Sequence, residues 1–196
     1  RMRRRKGVML EDARRLILDP NVFGALMVRL GDADGVVSGV TQHYPDTMRP
    51  MLQIVRSRED VRRVIGVFLL TFRNRSLFLA DATVNVEPDA ECLAETAILT
   101  AALARRFGIE PKVAMLSFSN FGSVDHRLVR LVQEATARVR KLAPDLVVDG
   151  EMQADTAVSP GLAHAHFPFS AVQGDANVLI MPYLTSSNIA YKLLHR

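Results

Sequence analysis

The sequence predicts an α/β fold with a largely parallel sheet, on three observations. From residue 113 onward, short apolar runs alternate with longer helical patterns, the rhythm of strand–helix–strand units. Ala114-Met-Leu-Ser-Phe-Ser-Asn-Phe-Gly-Ser123 carries an apolar strand straight into a small, polar, glycine-containing loop. The 196 residues are 48% hydrophobic, and a chain of this length buries roughly 70% of its unfolded surface.

In chain order, residues 11–18 read as a short helix closed by Asp19-Pro20-Asn21, and residues 22–30 as a packed helix with small Gly24 and Ala25. Residues 31–35 form a turn, and Val36-Val37 begins a short buried strand ending at Gly39. Asp46 is the expected N-cap of a helix over residues 47–55, whose first turns tolerate Pro50. The apolar runs 67–72 and 77–80, joined by Arg73-Asn-Arg-Ser76, predict a hairpin. Pro88-Asp89 opens a helix that runs to Phe107 and stops at Gly108, with Leu93, Ala97, Ile98, Ala101 and Ala104 on one face.

Residues 113–116 are the next strand. A helix over 125–142 follows, with Leu128, Leu131, Val132, Ala135, Val139 and Leu142 expected inward. Residues 146–148 and 178–180 are strands, separated by a long irregular link over 153–175 with room for a short helix. Ser186 or Ser187 is expected to cap a final helix with Ile189, Leu193 and Leu194 inward.

Composition excludes several classes. A single cysteine, Cys92, rules out an internal disulfide framework and a cysteine-based zinc cluster, and fits a reducing, cytoplasmic setting. No run has the length of a membrane span and no signal peptide is visible. The net charge of +4 owes much to Arg1, Arg3, Arg4, Arg5 and Lys6. With no Trp and with Glu11 and Asp12 close behind, that cluster is not a nucleic-acid arm. It reads as a solvated helix end, or as the source of one arginine that holds a phosphate. The chain starts without Met and stops in a helical pattern with no terminator, as expected of a piece of a longer protein.

Ligands of open α/β sheets bind beyond the carboxyl ends of the strands, and polar clusters follow several of the expected strands. Ser117, Ser119, Asn120, Gly122 and Ser123 precede a helix, where backbone donors and the dipole favour an anion. Capping alone is the plainer alternative, and the spacing matches neither a P-loop nor a Rossmann fingerprint. Asp149-Gly-Glu-Met-Gln-Ala-Asp155 offers three carboxylates suited to Mg²⁺, to a general base or to simple capping. In His43-Tyr-Pro-Asp-Thr-Met-Arg49, Arg49 beside Asp46 and Thr47 offers a fork for phosphate or carboxylate, a surface ion pair being the alternative. The five histidines have no metal-ligand spacing, and no metal site is expected in this chain.

Together, Arg3 to Gly7, residues 21–39, Asp46-Thr-Met-Arg-Pro-Met-Leu-Gln-Ile54, residues 107–117, 144–153, 176–180 and 187–194 resemble the phosphate acetyl/butyryltransferase family, in the family's order. The resemblance implies an α/β/α fold of the isocitrate/isopropylmalate-dehydrogenase-like type, in two lobes with a cleft. Residues 1–60 would be part of an incomplete first lobe and residues 61–196 the second lobe. It implies a homo-oligomer, at least a dimer, that binds acetyl-CoA, CoA or acetyl phosphate. Arg3 and Arg49 match the arginines that hold CoA or phosphate groups. Asp155 and the loop with Ser119, Asn120, Gly122 and Ser123 match cleft-lining segments, joined by Asp46 and Thr47. The family's catalytic Ser and Asp segment would lie beyond Arg196, so the isolated chain is expected to be inactive.

Ser-Asn-Phe-Gly-Ser123 is similar to the loop of the transferase-like C-terminal module of hybrid NADP-dependent malic enzymes. That likeness implies an acetyl-CoA-binding regulatory and oligomerisation module. Its parent would oxidatively decarboxylate malate to pyruvate with NADP and Mg or Mn, and the chain itself would carry no cofactor. Asp46-Thr-x-Arg49-Pro50 is closer to active transferases and keeps the alternative of a phosphate acetyltransferase.

Overall fold

The computed structural model describes residue 5 and residues 7–57 and 61–196. Among the described residues no helix is long and apolar enough to cross a membrane. By its internal packing the chain divides into two compact units, Arg1–Arg62 and Arg63–Arg196.

The first unit holds α1 (Leu10–Leu16), α2 (Pro20–Leu30) and α3 (Tyr44–Ile54). Asp19 does more than close the first helix. Its carboxylate accepts from the N–H groups of Asn21 at 2.8 Å and Val22 at 3.1 Å, so it caps α2, with Pro20 in the first helical position. Gly31 ends α2 at φ 83°, where a side chain would be strained. Buried Asn21 accepts from the Ser38 hydroxyl and donates to the Gln42 amide oxygen, pinning the segment that leads into α3.

The expected strand at 36–39 is absent, and Val37 is fully exposed. An apolar pair between glycines cannot hold a strand with no neighbour to pair with. Asp46 is not an N-cap either: α3 begins earlier, His43 takes the cap position and Asp46 lies in the first turn. Pro45 at the start of α3 sets that boundary, and Pro50 lies inside the helix.

The second unit is a three-layer sandwich. Its sheet runs β1 (Val67–Thr71), β2 (Ser76–Ala80), β5 (Val178–Ile180), β3 (Lys112–Leu116), β4 (Val147–Met152) in space. Only β1 is antiparallel, forming the predicted hairpin with β2; the other neighbours are parallel. α4 (Ala90–Arg106) and α5 (Arg127–Leu142) cover one face. Phe78, Ala80, Val113, Met115, Val178 and Ile180 point towards them. Leu77, Leu79, Ala114, Leu116 and Leu179 point to the opposite face, which meets Ala157 of α6 (Ala154–Val158) and Tyr191 of α8 (Leu184–Leu194). The period-2 alternation thus feeds two cores, so both sets must be apolar.

α4 follows its sequence signals. Asp89 accepts from the Cys92 N–H at 2.7 Å, and Gly108 turns the chain at φ 73°. Its inward face is largely alanine, which lets α5 pack close. α5 starts at Arg127 with His126 as cap. Val129 and Thr136 are buried while Leu142 is exposed, because the buried stripe drifts away from that last residue.

Three further expectations change. β4 does not stop before the acidic cluster; it runs through Asp149, Gly150 and Glu151. The 153–175 link holds α6 and α7 (Pro160–His166). In α8 the cap position is Tyr183, and Ile189, Leu193 and Leu194 are exposed. Ser187 is buried instead, and Tyr191 stacks on Phe68 with ring centroids 4.0 Å apart.

Gly150 is the tightest point of the sheet. A Cβ there would lie 2.6 Å from the Met115 carbonyl oxygen and 2.8 Å from the Met115 Cβ, at a φ of 143°. Gly150→Ala is expected to destabilise the fold by about 2 kcal/mol or more. Urea unfolding of both proteins measures the difference.

Candidate functional site

β2, β5, β3 and β4 all deliver their carboxyl ends to one edge of the second unit. Adjacent β3 and β5 lead to helices on opposite faces, α5 and α8. Their loops therefore diverge and leave a crevice, the usual ligand position in such a sheet.

The loop after β3 was expected as an open anion cradle. It is filled from within. Glu151, only 1% exposed, sends its side chain from the neighbouring strand under the loop. Its Oε1 accepts from the Ser119 hydroxyl at 2.9 Å and from the Gly122 N–H at 2.6 Å. Its backbone carbonyl accepts from the Phe121 N–H at 2.9 Å. The Asn120 N–H donates to Ser123 Oγ at 3.0 Å, the Ser123 N–H to the Asn120 carbonyl at 3.0 Å, and the Val124 N–H to Ser119 Oγ at 3.2 Å. Every amide from Asn120 to Val124 thus has an internal acceptor. The Asn120 side-chain oxygen accepts from the Gln153 N–H at 2.7 Å. Ser119 is wholly buried, and Ser123 reaches the surface. The loop does not cap α5, where the Leu128 N–H donates to the His126 ring nitrogen at 3.2 Å.

The three carboxylates of 149–155 have separate environments. Buried Asp149 pairs with Arg140 and accepts from the N–H groups of Gly150 at 2.9 Å and Ala171 at 2.8 Å. Glu151 serves the loop. Asp155 is exposed in the first turn of α6 and accepts from the Thr156 N–H at 2.9 Å. Groups of three or more His, Cys, Asp or Glu able to hold a metal are absent among the described residues.

Sequence reasoning missed a second internal carboxylate. Asp81, directly after β2, is buried and accepts from the N–H groups of Gly66, Thr83 and Val84 on Oδ1 and of Asn85 on Oδ2, at 2.9 to 3.1 Å. An Asp opening a polar turn after an apolar strand was the available signal. Further along the same loop, two shallow cavities meet at residues 87–89. One of about 330 Å³ is lined by Glu87, Asp89, Arg127, Leu128, Leu131 and Tyr183. One of about 290 Å³ is bordered by Arg63, Asn85 and Cys92. Arg63 also grips Asp89 with both guanidinium nitrogens, at 2.8 and 3.2 Å. That pairing, with the Cys92 N–H behind it, holds the Asp89 carboxyl below the usual carboxylate range.

In the first unit, α3 carries Asp46, Thr47 and Arg49 on its first turns. Arg49 is exposed and has no ion pair among the described residues. The Thr47 hydroxyl is buried without a hydrogen-bond partner among the described residues. Arg3 lies outside the described residues, as do Arg1, Arg4 and Lys6 of the basic cluster.

Residues 1–196 match the family described as phosphate acetyl/butaryl transferase. The chain is 43% identical over 194 residues to the phosphate acetyltransferase of Bacillus subtilis (strain 168), covering 98% of this chain and 60% of that protein. It is 41% identical over 195 residues to the phosphate acetyltransferase of Corynebacterium glutamicum, covering 100% of this chain and 59% of that protein. Among solved structures, a phosphotransacetylase from Streptococcus pyogenes matches with a TM-score of 0.88 at 44% identity, over 100% of this chain and 60% of that one. The chain therefore spans about 60% of the length of these relatives. These findings overturn the malic-enzyme module and leave the oxidoreductase and NADP expectations without support: relatives matched over the whole chain are phosphate acetyltransferases. The Asn120-Phe121 pair is too small a sign to outweigh similarity of that extent.

The Arg63–Asp89 pair predicts a pH dependence. A carboxyl whose folded pKa is lowered adds stability that is present above its unfolded pKa of about 3.9 and is lost as pH falls through the lower folded value. Asp89→Asn keeps the cap and removes the charge. With the Asp89 side chain 62% exposed, the cost at neutral pH is expected to stay below about 1 kcal/mol. Urea unfolding of the two proteins should differ at pH 7 and converge in acid.

Proposed function

Because the chain belongs to the phosphate acetyl/butaryl transferase family, we propose that the whole protein is a phosphate acetyltransferase, exchanging acetyl between acetyl phosphate and CoA. The observation that carries this reading is identity of 41–43% to phosphate acetyltransferases over essentially the entire chain.

In the proposed reaction a base takes the CoA thiol proton. The thiolate sulfur attacks the acetyl carbonyl carbon, a C–S bond forms, and the C–O bond to phosphate breaks with its electrons leaving on phosphate. No electron changes hands, so the reaction calls for neither NADP nor another redox cofactor. Arg49 is assigned to the phosphate, where charge builds as the bond breaks. Its support is an exposed guanidinium with no ion pair among the described residues, one turn from the α3 N-terminus. Asp46 and Thr47 are assigned to the same neighbourhood, and Arg3 to a CoA or phosphate group. Asn120 and Ser123 are assigned to the acyl and thiol end of CoA. Asp155 is the exposed carboxylate among the candidates and is assigned to orienting the thiol.

The reading also includes an isocitrate-dehydrogenase-like two-lobed fold, residues 1–60 in the first lobe and 61–196 in the second, a cytoplasmic setting and a homo-oligomer, at least a dimer.

The test is thioester formation by the full-length protein from acetyl phosphate and CoA. Turnover at enzymatic rates is expected, and its absence overturns the reading. In that protein Arg49→Ala should lower kcat/KM for acetyl phosphate by about 10²–10³-fold. Arg49→Lys should recover only part, having lost the planar fork. An Arg49→Ala enzyme of unchanged kcat/KM removes Arg49 from the site.

A further inference from the structure

We propose that Glu151 is a positioning residue that fixes the direction of the Ser119–Ser123 hydrogen bond, leaving Ser123 as an acceptor towards the neutral thiol and amide end of CoA; this rests on the transferase reading above.

The argument counts protons. Glu151 Oε1 acts as an acceptor: it receives a hydroxyl and a backbone N–H, at 2.9 and 2.6 Å. Ser119 owns one hydroxyl proton, and Glu151 takes it. Ser119 Oγ lies 3.1 Å from Ser123 Oγ, a contact in which either atom has the geometry to donate. With Ser119's proton committed, Ser123 must be the donor. Ser119 Oγ then accepts from Ser123 and from the Val124 N–H, and all its capacity is used.

Ser123 has now spent its proton inward. One of its lone pairs receives the Asn120 N–H at 3.0 Å. The other remains, on a residue that is exposed at the carboxyl edge of the sheet. A spent donor with a free lone pair binds a thiol S–H or an amide N–H and repels phosphate oxygen. Asn120 adds a second neutral contact: its side-chain oxygen is used by Gln153, which turns the amide nitrogen into the available end. The accepting oxygen of Glu151 thus sets which end of the substrate the loop receives, without touching it.

Three variants of the full-length enzyme test this: Glu151→Ala, Glu151→Gln and Ser119→Ala. In Glu151→Ala the KM for CoA should rise about tenfold, one hydrogen bond's worth, while the KM for acetyl phosphate stays within about twofold. Glu151→Gln keeps an acceptor oxygen and should remain close to wild type. Formate added to Glu151→Ala replaces the missing carboxylate and should restore the CoA KM and raise the melting temperature, with no such effect on wild type. Should Glu151→Ala not fold, Ser119→Ala breaks the same link and should show the same CoA-selective rise. Equal changes in both KM values, no change in either, or a folded Glu151→Ala indifferent to formate overturns the proposal. A wild-type enzyme that makes no acetyl-CoA removes the transferase reading instead. The formate-dependent melting shift of Glu151→Ala then still decides whether the carboxylate cradle exists.

Discussion

Burial of β2, β3 and β5 on both faces expels polar groups from the body of the sheet and gathers them at its carboxyl edge. Phe78 and Leu79, Met115 and Leu116, Leu179 and Ile180 alternate between two dry cores. A carboxylate next to such strands survives only with its lone pairs filled, since burying an unmatched charge costs several kcal/mol. Asp81 meets that condition on both oxygens and Glu151 on Oε1, each by drawing in backbone amides of the loop that follows β2 and β3 respectively. The rim loops are shaped around these two charges. Gly150 belongs to the same constraint: only a residue without Cβ lets β4 approach Met115 closely enough for Glu151 to pass beneath the loop.

Much of the fold was legible because local and tertiary demands agree. Asp89, the alanine face and Gly108 mark α4 at both ends and along its side. The 67–80 hairpin and the cores of β3 and β5 are apolar whichever face is considered. Legibility failed where tertiary satisfaction hides polarity. Asp149 and Glu151 looked like the end of a strand because they are charged. They lie within β4 because Arg140, Ala171, Ser119 and Gly122 satisfy them from elsewhere in the chain. In α8 the apolar Leu193 invited an inward assignment, yet small Ser187 and flat Tyr191 fit the sheet.

The site was legible in its elements and not in its wiring. The 117–123 segment was found by its composition, and the role of Glu151 required β4 to be placed beside β3. The same distance between local and global evidence governs identity. Two residues of one loop favoured a regulatory module, and 194 aligned residues favoured a phosphate acetyltransferase. Asn120 and Phe121 are themselves held by the fold: Asn120 Oδ1 accepts from the Gln153 N–H, and Phe121 packs against Phe167 and Phe169.

The filled loop also bears on where an anion can bind. The donors expected to hold it are spent, and a resident carboxylate occupies the position. A second unit negative charge about 4 Å away would be opposed by roughly 4 kcal/mol at an effective dielectric of 20. Arg49 offers the opposite case: a full positive charge, exposed, on the first turns of a helix and with no ion pair among the described residues. The two features therefore differ in the charge they accept: an anion is favoured at Arg49 and opposed at the Glu151-ordered loop.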